Sequence, residues 1–383
     1  MNHSQKLCSF FCVAFVVLLC SCNQPQKQKA HCEKQSSLPL KYKPHFSVDY
    51  YDGFKVVTVY GTDTANLLAQ YVLLPKNKPA PVGFDKATLI ETPVRSSIAV
   101  STNHVAIYSK LGIADTLLAV ANAELIYDSL VRKNLAEKKL VSVGSNEYDF
   151  ELIAMLYPSF VLHSGSYDGG DKLQVKLKSM GVKTVLCADY MEQNPLARAE
   201  WIKFVATFYN MEAVADSLFQ ITENKYLQLK QLAASVEHKP TVFCNMPFKE
   251  IWYMPTGQNF SAQLIADAGG DFLWKDAKPN NGLNLSLDYE AVYAKAANAD
   301  IWLVNSLVNS LKEMSGADTK NKEFGAFKKG KVYNHNNRTT VAGGSDYWES
   351  GVMSPDVLLA DLIHIFHPEL MPAHQLYYYK QLQ

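Results

Sequence analysis

The chain lacks most of the marks that announce a function. Its 37 basic and 37 acidic side chains cancel to a net charge of zero, and with no long run of one sign there is no electrostatic footprint for nucleic acid. Neither the Rossmann nor the P-loop glycine pattern occurs, and there is no G-x-S-x-G elbow or H-E-x-x-H helix. An exported hydrolase therefore remains only a remote alternative. Cysteine is sparse: beyond the first 22 residues only Cys32, Cys187 and Cys244 occur. Cys187 in KTVLCADY and Cys244 in TVFCNMP read as small buried hydrophobes on strands, without a disulfide framework or a zinc pattern. His364 and His367 form the only close histidine pair, on an amphipathic helix without a thiol partner, so structural roles and no protein-held metal site are expected.

What the chain does have begins with a targeting segment. Lys6 precedes LCSFFCVAFVVLL, an apolar run short for a transmembrane helix but fitting a signal-peptide core over residues 1–21. The run closes on Leu19-Cys20-Ser21-Cys22 and resembles a bacterial lipobox, which implies diacylation of Cys22 and stable anchoring by two acyl chains. An ordinary secretory signal with incidental cysteines stays open. Residues 22–40, rich in Gln, Lys, Pro and Ser, read as a tether.

Residues 41–194 read as one α/β lobe. FKVVTVYG and LAQYVLLP alternate as antiparallel strands do. After Pro93 the pattern becomes SSIAV, LLAVAN, VSVG, FVLHSG and TVLCAD with helical segments between, which predicts a mainly parallel sheet covered by helices. Residues 195–238 then carry apolar positions at helical spacing without Pro or Gly after Pro195, which predicts two successive helices, the second near 26 residues and about 40 Å long. Beyond it the alternation restarts over residues 239–383, with strands TVFCNMP, IWLVNSL and KVYNHN. The fold class expected is α/β, two lobes joined by one long rigid helix, with extra N-terminal strands.

Both halves repeat one phrase. Asp149-Phe150-Glu151 opens a helix leading to SFVLHS, and Asp288-Tyr289-Glu290 opens one leading to DIWLVNS. Helix-start carboxylates serve as caps, so capping alone accounts for the acids; recurrence of the whole unit points to a duplicated lobe.

In order, the lipobox, VRSSIAV, VGSNEYDFELIAMLYPSFVL, the connecting helix, IWYMPTGQNFSAQLIADAGGDFLWKD, LSLDYEAVYAKAANADIWLV, GKVYN and HPEL resemble the substrate-binding proteins of ABC importers for iron complexes and cobalamin. The resemblance spans roughly residues 90–370. It implies a ligand held in the cleft between lobes, no catalysis and no cofactor, and a partner permease with its ATPase. The lobe-surface glutamates that dock on such a permease correspond to Glu151 and Glu290. It further implies a monomeric lipoprotein of the periplasm, capturing a ferric siderophore or haem, with cobalamin as the alternative. Pro158-Ser159 departs from the family's usual Pro-Asp, and the first ~90 residues exceed its common N-terminus.

Loops after strands supply the expected cleft residues: Thr102, Asn103, Ser166 and Tyr167 in the first lobe, and Trp252, Tyr253, Arg338, Tyr347 and Trp348 in the second. Aromatics stack on flat ligands, and Arg198 or Arg338 pairs with anionic groups. Trp201, Trp274 and Trp302 are expected in the core, and Arg198 has an intrahelical ion pair as its alternative.

Overall fold

The computed structural model describes residues 32–145, 147–165, 172–278 and 284–383; Cys22, Ser166 and Tyr167 lie outside them. The strands after Pro93 form a five-stranded, all-parallel sheet. Its spatial order is Thr184–Leu186, Val161–His163, Ser97–Ala99, Leu117–Val120, Val141–Ser142. Ile98, Ala99, Ala119, Val120, Val161 and Leu162 are buried, as the near-continuous apolar runs of a two-sided sheet require. The second lobe repeats the plan in the order Asp271–Phe272, Thr241–Cys244, Ile301–Val304, Val332–Asn334, with Lys380–Gln381 added antiparallel at the edge.

Two cores result. One gathers the first lobe around Val105, Leu162, Trp201 and Phe208; the other gathers the second around Phe243, Trp302 and Leu362. Between them runs the helix Glu212–Ala234, 23 residues, about 35 Å at 1.5 Å per residue. Its Ala215 and Phe219 belong to the first core, its Tyr226 and Ala233 to the second. The preceding stretch differs from the single helix expected: Pro195–Glu200 and Ile202–Phe208 are separate helices that meet at Trp201, and Asn210 takes a left-handed φ of 57° before the long helix starts. Asn194 caps the first of these by accepting Leu196 N at 2.8 Å, with Pro195 preset at the first helical position.

The N-terminal strands form a further five-stranded sheet in sequence order: Ser36–Ser37, Phe46–Tyr51, Phe54–Tyr60, Leu67–Pro75 and Thr88–Thr92. Alternation sends Val57 and Val59 into the first-lobe core, while Phe54 and Val56 join Val72 and Leu74 in a small cluster on the other face. The segment expected as tether through Leu40 enters this sheet earlier: Gln35 N and Leu38 N donate to Tyr50 O and Val48 O at 2.9 and 2.8 Å.

Buried charges pin this addition to the helices. Lys203, 1% exposed, pairs with Glu200 at 3.0 Å and Asp216 at 2.9 Å. Glu200 also accepts Lys41 N and Tyr42 N at 2.9 and 3.0 Å, and Tyr42 Oη donates to Glu223 of the long helix at 2.8 Å. The extension thus braces the element that joins the lobes. Among the described residues no helix is long and apolar enough to cross a membrane.

Candidate functional site

In a parallel α/β sheet, the crevice for ligands opens beyond the carboxyl ends of the strands where successive connections leave in opposite directions. In the first lobe that switch lies between the adjacent strands Ser97–Ala99 and Val161–His163. Their carboxyl ends release Ser101-Thr102-Asn103 and Ser164-Gly165. A cavity of about 270 Å³ stands there, lined by those residues together with Tyr190, Arg198 and Trp348 of the second lobe. A neighbouring cavity of about 280 Å³ shares Tyr190, Arg198 and Trp348, and adds Gln258, Asn259 and Ser261. The two cavities adjoin through Tyr190, Arg198 and Trp348, so the cleft combines polar groups with two aromatic rings and a guanidinium.

Its floor is held by Asp189. The carboxylate, fully buried, accepts Asn103 Nδ2 at 2.8 and 3.0 Å and Arg198 Nε at 2.9 Å, with His104 Nε2 at 3.7 Å. Burial works to raise its pKa, but Arg198 and His104 outweigh that and hold it at about 2. The ion pair aims the guanidinium, whose Cζ lies 5.3 Å from the Phe260 ring. His104, Cys187 and Asp189 bring possible metal-ligand atoms within 4.8 Å of one another. Burial pushes the Cys187 thiol well up, keeping it protonated, and Asp189 is committed to Arg198, so the group serves as packed polar floor.

Of the residues expected to contact ligand, Thr102, Asn103, Arg198 and Trp348 converge on this cleft. Four others do not. Trp252 is fully buried in the strand Ile251–Pro255, stacked on Trp302 at 5.7 Å, its indole N–H donated to Cys244 O. It sits in a three-stranded antiparallel sheet, Pro247–Phe248, Ile251–Pro255, Asn284–Leu287, rather than at a turn. Tyr253, next along that strand, points the other way and is exposed, lining neither cleft cavity. Tyr347 is buried against His335, ring centroids 4.2 Å apart. Arg338 lies between Tyr127 and Tyr377, pairs with Asp346 at 2.6 Å, and lines a separate cavity of about 390 Å³ with Lys110 and Glu349. Tyr190 follows the strand TVLCAD, at a carboxyl end where the sequence places ligand, whereas Gln258 carries no such signal, and the role of Asp189 emerges only from partners 9 and 86 positions away.

The expected core residues Trp201, Trp274 and Trp302 are buried. His364 and His367 each bond a backbone carbonyl, of Met371 and Gly269.

The repeated phrase has a common geometry. Asp149 accepts Leu152 N at 2.9 Å and Asp288 accepts Ala291 N at 2.7 Å, so the aspartates are the caps. That leaves Glu151 and Glu290 free of capping duty. Both are exposed in the first turn of their helices, and Lys320 Nζ lies 4.0 Å from Glu290.

Two parallel-sheet lobes, one joining helix and a cleft at the first lobe's switch point define a two-lobed solute-binding protein. The chain belongs to the Periplasmic binding protein family, whose pattern matches residues 98–338. An uncharacterized lipoprotein of Methanocaldococcus jannaschii is 27% identical over 371 residues, covering 91% of this chain and 86% of that one. An ABC transporter substrate-binding protein from Listeria monocytogenes superposes with a TM-score of 0.54 at 18% identity, over 72% of this chain and 99% of that one. Staphylococcus aureus IsdE complexed with heme gives 0.53 at 18%, over 71% and 98%. At these identities the structural likeness speaks for the fold. The family is one of solute-binding proteins, in agreement with binding without chemistry.

Proposed function

We propose that this chain is the lipid-anchored receptor of an ABC importer, holding an iron complex, haem or a ferric siderophore, between its lobes and handing it to a permease driven by its ATPase. The observation that carries this reading is the convergence of Thr102, Asn103, Tyr190, Arg198 and Trp348 on one inter-lobe cavity. The indole and phenol rings offer faces to a flat ligand, and the guanidinium offers charge to its carboxylates or to an anionic chelate. Heme in the related S. aureus structure supports this cargo class. Cobalamin is a second flat metal complex of the kind this cleft accepts.

Diacylation at Cys22 keeps the receptor at the membrane surface in the periplasm, with the chain up to about residue 34 as its tether. Glu151 and Glu290, one per lobe and both exposed, are the docking carboxylates for basic residues of the permease, where charge-assisted pairs set orientation and encounter rate. Absorbance titration of the full chain with haemin, a ferric siderophore and cyanocobalamin tests the reading: one saturable 1:1 complex is expected, and no complex with any of the three overturns it.

A further inference from the structure

The cavity that holds Arg338, about 390 Å³, is larger than either cavity of the cleft and shares no lining residue with them. Its size falls within the range of small-molecule sites, roughly 300–1,000 Å³. Both lobes build it: Ser109, Lys110 and Tyr127 come from the first, and Arg338, Ser350 and Tyr377 from the second.

Lys110, in the last turn of the helix Thr102–Leu111, carries a charge without a counter-ion. Its ammonium group donates to Met353 O, to Thr222 Oγ1 of the long helix at 3.1 Å and to Ser354 Oγ at 3.4 Å, all uncharged. Among the described residues no carboxylate pairs with it, whereas buried charges are ordinarily paired. Burial lowers its pKa to about 8, which leaves it cationic at neutral pH; Asp356 and Lys225 act on it from farther off with opposite sign. Beside it, Ser109 Oγ is buried without a hydrogen-bond partner. Arg338 is held between Tyr127 and Tyr377, its Cζ 4.7 and 4.1 Å from their ring centroids, and its Nε donates to Asp346 at 2.6 Å. Among the described residues its two terminal amino groups donate to nothing. The acids on the same walls are committed. Asp346 accepts Arg338 and Ser350, Glu349 accepts the backbone N–H groups of Tyr127 and Asp128, and Asp128 caps a helix through Val131 N. The groups left unspent are donors and positive charge.

We propose that this cavity is a second binding site, separate from the cargo cleft, for a small oxyanion: a di- or tricarboxylate or a phosphate. Its charge is the counter-ion that Lys110 lacks, and its oxygens accept the terminal amino groups of Arg338 and the Ser109 hydroxyl, the planar guanidinium being already fixed by its two rings. The long Lys110–Ser354 bond is the one an anion displaces. Because the donors come from both lobes, an occupied site favours the lobe arrangement seen here.

The test titrates the full chain with citrate, succinate and inorganic phosphate by calorimetry at neutral pH, before and after saturation with whichever of haemin, a ferric siderophore and cyanocobalamin it binds. One anion site per chain is expected, present with or without cargo, and the probe that binds most tightly separates carboxylate from phosphate. Lys110→Met and Arg338→Gln are each expected to weaken that anion about tenfold or more. Should both variants fail to fold, a crystal structure of the wild type with the tightest-binding anion decides, with the anion expected to bridge Lys110 and Arg338. Overturning results are no binding of any of the three at millimolar concentration, affinity unchanged in either variant, an anion lodged elsewhere, or one displaced one-for-one by cargo. Failure of anion binding leaves the receptor assignment standing, since that assignment rests on the cleft.

Discussion

The Glu349 carboxylate, in the second lobe, accepts the backbone N–H groups of Tyr127 and Asp128 in the first, each at 2.8 Å. It is a seam between the lobes apart from the joining helix. Thr340 Oγ1 donates to Glu124 O at 3.0 Å alongside it, and Gly344 approaches so closely that a Cβ there would lie 1.9 Å from Leu125 O. Only glycine fits that contact.

The seam titrates. Burial, against the two backbone N–H groups and with Asp346 and Asp128 adding to it, raises Glu349 from 4.5 to about 7. A raised carboxyl favours the folded form while protonated, so its contribution is full below about 4.5 and is lost as pH rises through about 7. Thermal unfolding followed from pH 5 to pH 8 is expected to show a falling Tm in the wild type and a flatter profile in Glu349→Gln. Equal slopes in both contradict the assignment. Gly344→Ala is expected to part the seam and enlarge the radius of gyration in solution scattering, without unfolding either lobe.

Trp252 belongs to an aromatic core with Phe243, Trp302 and Phe324. Trp252→Ala is expected to cost about 3–5 kcal/mol by chemical denaturation, the range for large-to-small core changes, while the folded fraction keeps its affinity. Trp348→Ala is expected to show the reverse: at least tenfold weaker binding, as for an aromatic anchor, with a smaller stability loss.

Lys203 is buried between Glu200 and Asp216. Lys203→Met leaves Glu200 buried with its positive partner removed, and about 3–5 kcal/mol of stability is expected to go, measured by urea unfolding. Loss below about 1 kcal/mol means that the N-terminal sheet does not brace the helices in the way described.

Glu151→Ala combined with Glu290→Ala is expected to leave ligand affinity unchanged and to lower uptake in cells. Uptake equal to wild type removes the docking role from these two carboxylates.

The architecture was largely legible because it is written in local pattern. Ile98, Val161 and Trp302 sit in apolar runs that leave little choice but a buried parallel strand. The cleft was legible only in part. Thr102 and Asn103 follow a strand directly, but Trp252 and Tyr253 flank each other on a strand that turns one inward and one out, and that strand was hidden beside Pro247 and Pro255. Tyr347 and Trp348 are consecutive on the short helix Asp346–Glu349, where neighbours point about 100° apart; one enters the core, the other faces the cleft. Asp189 draws its meaning from Asn103, 86 positions away, which pattern does not reveal.

A crystal structure of the receptor with its cargo tests the central claim most directly. The account predicts the cargo wedged between Trp348 of the second lobe and Thr102 and Asn103 of the first, with Arg198 at its anionic edge. Cargo in the Lys110–Arg338 cavity, or touching one lobe alone, would contradict it.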